Sequence, residues 1–297
     1  MIFYILYRIG HFFAILLPKR IAYVIACTIA DIYYRISYKD RNIVKKNIRT
    51  VLGGSVSEND LNRMAREVFR NFAKYLADFF SFSKIDEGYI KRNVKIEGLN
   101  NIDAALSRGK GAIILSAHIG NWELGGSALP LTGYPLCGVV LTHQNKRIND
   151  FFTRQRLAGK MRPIEIGISL KACYSVLKGN GLLALLGDRD FTKNGIRIEF
   201  FGRKALIPKG PAAFSYRIGS AIVPCFMLRE DGDKFRLVFE EPIYPDHNEK
   251  EETALISLTK ECIAVIESYV RKYPTQWFIF KDIWDDNGKD MRPDTII

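Results

Sequence analysis

From Val94 onward the chain alternates between two kinds of segment. Short β-type runs lie at Val94 to Glu97, Ala112 to Ser116, Cys137 to Leu141, Arg162 to Ile166, Gly181 to Leu186, Ile196 to Phe201, Ala221 to Leu228 and Phe235 to Phe239. Between and after them come helical stretches, from Asn101 to Ser107, Asn121 to Leu129, Arg147 to Leu157, Leu170 to Lys178, Pro208 to Ile218 and Thr253 to Tyr273. A strand with one or both faces apolar must be covered, and helices interleaved with strands cover it. The alternation therefore predicts an α/β fold, with a mixed central sheet flanked by helices on both faces. At 297 residues and 47% apolar content the chain has material for one large core.

The first fifty residues have a different character. Met1 to Leu17 is almost wholly apolar and aromatic, broken by Arg8 and His11. Pro18-Lys19-Arg20 follows, then a second apolar run from Ile21 to Tyr34, broken by Asp31. Residues 1–50 carry nine Lys/Arg against two Asp, so +7 of the net +12 lies there. Neither run reaches the ~20 uninterrupted apolar residues of a spanning helix. A cleaved signal peptide would leave the second run unexplained. Three readings stand: one imperfect span, a monotopic hairpin or interfacial helix among anionic headgroups, or a buried core helix. We divide the chain into 1–50, apolar and basic membrane-associating helices, and 51–297, the α/β domain. Residues 41–80 read as helical, broken at Gly53-Gly54, with Ser57 and Asp60 marking a helix start. The aromatic face of that region (Val68, Phe69, Phe72, Tyr75, Leu76, Phe79, Phe80) suits either the core or lipid tails.

The stretch Ser116-Ala117-His118-Ile119-Gly120-Asn121-Trp122-Glu123 directly follows the apolar run Ala112 to Leu115. In open α/β sheets ligands gather at the carboxyl ends of strands, which is where this histidine falls. Glu123, five residues on, is placed to orient the ring of a general base. The same residues also fit a histidine that satisfies a helix terminus, or a metal ligand. The spacing alone is weak, because His247 and Glu252 repeat it inside a polar turn. A second strand end, Gly187-Asp188-Arg189-Asp190, can bind metal, hold an arginine or form a structural ion network. Arg189 there suits a phosphate or a developing oxyanion. Pro208-Lys209-Gly210-Pro211 can bring a helix amino terminus and a lysine near an anion.

Other chemistries find no purchase. The chain has no G-x-S-x-G elbow, so Ser116 is a poor nucleophile, and it has no P-loop, H-E-x-x-H or dinucleotide fingerprint. Five scattered cysteines without a C-x-x-C pair argue against zinc or thiol redox chemistry and for a reducing compartment. The positive charge fits nucleic acid, acidic lipid, an acidic carrier protein or plain solubility. Its concentration beside the apolar amino terminus favours a lipid surface over nucleic acid.

Taken together these blocks resemble the lysophospholipid acyltransferase superfamily, and within it the lipid A biosynthesis (lauroyl/myristoyl) acyltransferases. The blocks are His118-Ile119-Gly120-Asn121-Trp122-Glu123, the arginine-rich helix with Asn149, Arg154 and Arg156, then Asp188-Arg189-Asp190, Phe200-Phe201-Gly202 and Pro208 with Gly210-Pro211. The resemblance implies a membrane-associated O-acyltransferase that uses no cofactor and no metal. Its donor would be an acyl carrier protein or coenzyme A thioester, and its acceptor a glycolipid hydroxyl, first a lipid A precursor. His118 would be the base and Glu123 its partner, with Gly120, Asn121, Asn149, Arg154, Arg156, Asp188, Arg189, Asp190, Lys209 and Gly210 around the substrates. Backbone N–H groups near Gly120, then Arg189, are the expected oxyanion donors. The implied place is the cytoplasmic face of the bacterial inner membrane, peripheral or held by one N-terminal span. Two departures concern the acceptor: Arg189 stands where the branch commonly has glutamine, as in relatives that acylate mannosyl phosphoinositides, and the tail around Trp277 is less basic. The alternatives are acylation of another glycolipid or lysophospholipid, or, in other classes, a basic nucleic-acid-binding protein or a non-catalytic membrane scaffold.

Overall fold

The structure, a computed structural model, describes residues 2–54, 56–166 and 170–284. It begins with four helices: α1 (Ile2–Leu16), α2 (Lys19–Ile36), α3 (Tyr38–Leu52) and α4 (Glu58–Phe80). Pro18 separates the first two, since it cannot donate a helical hydrogen bond. Gly53, left-handed at φ 76°, ends α3, and the Ser57 hydroxyl accepts the Asp60 N–H to start α4. Val68, Phe69, Tyr75, Phe79 and Phe80 of α4 are buried, so its aromatic face belongs to the core. α2 and α3 pack on it through Ala30, Val44 and Ile48, and Phe278 from the far end of the chain joins them.

The outer faces of α1 and α2 are uncovered. Ile2, Leu6, Phe12, Phe13, Leu16, Val24, Ile29 and Ile36 are all exposed. Isolated exposed apolar residues are ordinary, but a run of them along two consecutive helices is not. Among the described residues no helix is long and apolar enough to cross a membrane.

The rest is the α/β part: α5 (Glu87–Asn93), β1 (Val94–Glu97), α6 (Leu99–Leu106), β2 (Ala112–Ser116), α7 (Trp122–Leu131), β3 (Leu136–Val140), α8 (Lys146–Ala158), β4 (Arg162–Glu165), α9 (Leu170–Lys178), β5 (Leu182–Leu186), β6 (Ile196–Phe200), β7 (Arg203–Ile207), α10 (Gly210–Ile218), β8 (Ala221–Arg229), β9 (Phe235–Phe239) and α11 (Glu251–Lys272). Seven strands form one mixed sheet in the order β1-β9-β8-β2-β5-β3-β4. Only β8 and β9 pair antiparallel within it. Side chains alternate between its faces. Ala112, Ile114, Val223 and Cys225 pack with residues of α5 to α8, whereas Ile113, Leu115, Ile222 and Phe226 pack with residues of α9 to α11. The expected strands and helices are all present.

One strand, β7, was not legible in the sequence. β6 pairs with β7 in a separate hairpin through Phe201 and Gly202, both at positive φ. Hairpin turns of this kind are announced by Asn-Gly or Asp-Gly, not by Phe-Gly. Here tertiary contacts hold the turn. The Phe201 N–H donates to Glu267, and its ring packs 4.4 Å from that of Phe200 and 5.8 Å from that of Trp277.

Candidate active site

β2 and β5 are parallel neighbours, with Ser116 opposite Leu186. Their carboxyl ends therefore deliver His118 and Asp188 to one place. The Nδ1 of His118 lies 2.8 Å from Asp188 Oδ1, and the His118 backbone N–H donates to Asp188 Oδ2 at 2.9 Å. The indole N–H of Trp277 donates to the same oxygen at 2.9 Å. Burial alone pushes the Asp188 carboxyl up. The adjoining imidazole, the indole and the backbone donor outweigh it and hold the group below the ordinary carboxylate range. An ionised carboxylate only accepts, so Nδ1 carries a ring proton, and in the neutral imidazole the lone pair is on Nε2. Nε2 has no hydrogen-bond partner among the described residues, and the ring lines the apolar cavity described below.

The turn after His118 explains its sequence. Gly120 is left-handed at φ 63°. A Cβ there would stand 2.0 Å from the Met227 carbonyl oxygen, so no other residue fits. Asn121 caps α7, accepting the Leu124 N–H at 3.1 Å and donating to the buried Asp78 at 3.0 Å. The carboxyl-terminal segment pairs with the turn, the Phe278 N–H donating to the His118 carbonyl at 2.7 Å. The ring is thus fixed by strand, turn and tail together.

Two expectations are corrected here. Glu123 is not the ring's partner. The chain reverses at Gly120, and α7 starts at Trp122, which carries Glu123 to α8 instead. There it takes Arg156 in a fork: Nη2 to Oε1 at 2.7 Å, Nε to Oε1 at 3.0 Å and Nε to Oε2 at 3.2 Å. Burial works against the charge of Arg156, and Glu123 overcomes it, holding the guanidinium above its usual range. Nor do the amides around Gly120 face a substrate. The Gly120 N–H donates to the Gln276 carbonyl at 2.8 Å, and that of Asn121 to Met227 at 2.7 Å.

The cavity, about 210 Å³, lies between α7 and the sheet. It exists because facing positions are small. Ala184 sits between Ile114 and Gly138 in one row across β2, β5 and β3, and Gly125 and Gly126 face that row from α7. The rim holds His118, Trp122, Arg189, Asp190, Phe191 and Thr192, and the deep end Leu129, Leu136 and Met161. From Val140 back to Leu136 the slot runs roughly 13 Å, at about 3.3 Å per residue. Its walls are mostly apolar, with polar groups gathered at the rim and the Glu123–Arg156 pair at the side, the usual composition of a site for a largely apolar ligand.

Of the residues singled out in the sequence, His118, Glu123, Arg156, Arg189, Asp190 and Gly210 line this cavity. Asp188 stands behind His118. One Asp190 oxygen accepts from Thr192 at 2.9 Å, while its Oδ2 is buried without a partner. Gly120 and Asn121 shape the turn. Asn149 donates to Glu165 at 2.9 Å and accepts the His143 N–H at 3.1 Å, away from the slot. Arg154 and Lys209 are exposed and outside the lining. Sequence reasoning missed Trp277, His143, Phe191 and Met161. Only Trp277 gave a signal, as a tryptophan in an otherwise apolar tail. Burial pushes the His143 imidazole down. His247, the second spacing match, packs against the Tyr216 ring far from this lining. Among the described residues no group of three or more His, Cys, Asp or Glu is placed to hold a metal ion.

Comparison with known proteins adds an independent line. A model of the bacterial lipid A biosynthesis acyltransferase family matches residues 1–285. A phosphatidylinositol mannoside acyltransferase of Mycolicibacterium smegmatis is 24% identical over 258 residues, covering 84% of this chain and 81% of the relative. One from Mycobacterium tuberculosis is 26% identical over 187 residues, covering 61% of this chain and 59% of the relative. A lipid A biosynthesis palmitoleoyltransferase of Escherichia coli is 23% identical over 239 residues, covering 80% and 76%.

Proposed function

Because the chain belongs to the bacterial lipid A biosynthesis acyltransferase family, we propose that it moves a fatty acyl group from a thioester to a hydroxyl of a membrane glycolipid, with His118 as general base. The observation that carries this is the His118–Asp188 pair at the mouth of an apolar slot. The acyl chain lies in the slot, with its thioester carbonyl at the rim. Nε2 takes the proton of the acceptor hydroxyl as that oxygen attacks the carbonyl carbon. The tetrahedral intermediate collapses, the C–S bond breaks, and the thiolate leaves with the proton from the imidazolium. No acyl-enzyme is required, since a thioester is already activated and positioning supplies much of the rate. With the amides of the turn engaged elsewhere, Arg189 at the rim is the oxyanion donor we assign. The buried, unpartnered Oδ2 of Asp190 is the acceptor atom for a donor on the incoming lipid. Asp188 positions the ring, and the Glu123–Arg156 pair fixes α7 against α8.

A glycolipid acceptor stays in the bilayer, so the enzyme must work at its surface. The uncovered apolar faces of α1 and α2, beside the basic amino-terminal charge, support an interfacial mode at the inner membrane. Among the described residues no helix supports the single-span alternative. The donor is an acyl carrier protein or coenzyme A thioester, both anionic partners for a basic chain. Family membership supports a lipid A precursor as the first acceptor to test. A phosphatidylinositol mannoside is the second, supported by Arg189 and the mycobacterial relatives. Purified protein given an acyl thioester and each glycolipid should yield one product heavier by one acyl unit by mass spectrometry. His118→Ala should lower the rate by about 10²–10⁴-fold while remaining folded and vesicle-bound. Transfer within tenfold of wild type would remove His118 from the role of base.

A further inference from the structure

Met161 enters the deep end of the slot from neither α7 nor the sheet face. It follows α8, in a turn where Lys160 is left-handed at φ 62° and the Met161 N–H donates to the Arg156 carbonyl at 3.1 Å. Its backbone is therefore anchored, and its side chain is buried at the deep end of the cavity. There the sulfur is wedged between two glycines. A Cβ built on Gly138 would stand 2.7 Å from Met161 Sδ, and one on Gly126 3.0 Å from it. Gly126 belongs to α7 and Gly138 to β3, so the thioether bridges the two walls at one depth. At this depth Gly126, Gly138 and Ala184 carry little or nothing, and the sulfur takes up the width between the walls. Leu129 and Leu136, core residues that also line the cavity, close the deep end with it.

We propose that Met161 is the end stop of the acyl slot and sets which chain length the enzyme prefers. The inference rests on the acyl-transfer reading of the site. A hydrocarbon in this slot gains from every methylene that stays within apolar walls and loses when the terminal methyl meets a closed end. The stop is an unbranched thioether, which adapts its shape more readily than a branched residue. Replacing Met161 by alanine removes three heavy atoms, room for about three methylenes. Each additional buried methylene is worth about fourfold in affinity. A methyl group at Gly138 acts in the opposite sense, because it occupies the slot floor and crowds the sulfur.

The test compares wild type, Met161→Ala, Met161→Leu and Gly138→Ala across a ladder of saturated acyl-coenzyme A donors differing by two carbons. Two readouts are taken: kcat/KM for transfer, and thermal stabilisation by non-hydrolysable acyl-coenzyme A thioethers of the same lengths. Met161→Ala should move both optima up by about two carbons or more, with a gain of about tenfold for the longer chain. Gly138→Ala should move them down, and Met161→Leu, close in volume, should leave them near wild type. Optima that coincide in wild type, Met161→Ala and Gly138→Ala would overturn the stop while leaving acyl transfer intact. Wild-type protein that neither transfers from nor is stabilised by any donor would overturn the acyl-transfer reading, and this inference with it.

Discussion

Asp188 and Glu123 are both buried carboxylates, and each engages a basic side chain at nearly the same distance, 2.8 Å to His118 and 2.7 Å to Arg156. Their roles diverge because their partners differ. Arg156 carries a permanent charge, so its pair with Glu123 is a fixed tie between α7 and α8. His118 changes protonation during the proposed reaction, so Asp188 faces a partner whose charge comes and goes. A carboxylate that accepts from the ring, the indole and a backbone amide stabilises each imidazolium as it forms. The lesson concerns distance along the chain. Glu123 is five residues from His118 and Asp188 is seventy, but parallel neighbouring strands bring the remote residue to the ring, while a glycine turn carries the near one away.

Breaking the second pair has the largest expected effect on stability. Glu123→Gln leaves the Arg156 charge buried without compensation and should cost about 3–5 kcal/mol in urea unfolding. Adding Arg156→Met should recover much of that loss, because the pair is replaced by apolar volume. No recovery would mean that the fork does more than tie two helices.

The first pair is sharpened by acid. The Asp188 carboxyl is held below its ordinary range, so the native state binds this proton less readily than the unfolded chain, whose carboxyl titrates near 3.9. Its contribution to stability is complete above about pH 4 and is lost as the pH falls through the lower native value. Unfolding free energy measured below about pH 4 should therefore fall less steeply for Asp188→Asn than for wild type. Equal slopes would show that Asp188 is not ionised in the fold. The smallest effect belongs to the second spacing match. His247→Ala removes an exposed ring and should change stability by less than about 0.5 kcal/mol, with transfer rates unaltered.

Much of this architecture could be read from the sequence. The sheet was legible because its strands are short apolar runs ending in glycine, proline or charge, and parallel strands buried on both faces look like that. The β6–β7 hairpin lacked such punctuation, since Phe201 adopts positive φ only under tertiary packing. In the site, His118 and Asp188 were legible as strand ends. Their partnership was not, because strand order is not written in any local spacing. Arg156 looked like a ligand for anions because nothing local shows that Glu123 reaches it. Met161 gave no signal, since its meaning depends on two glycines on different elements.

The measurement that bears most directly on the account is the initial rate of acyl transfer by Asp188→Asn and by Glu123→Gln, each divided by its folded fraction. The account predicts that Asp188→Asn is slower than wild type by at least about a hundredfold, through loss of the ring's tautomer and charge partner, and that Glu123→Gln stays within tenfold. A Glu123 variant as inactive as His118→Ala beside a nearly active Asp188→Asn would contradict it.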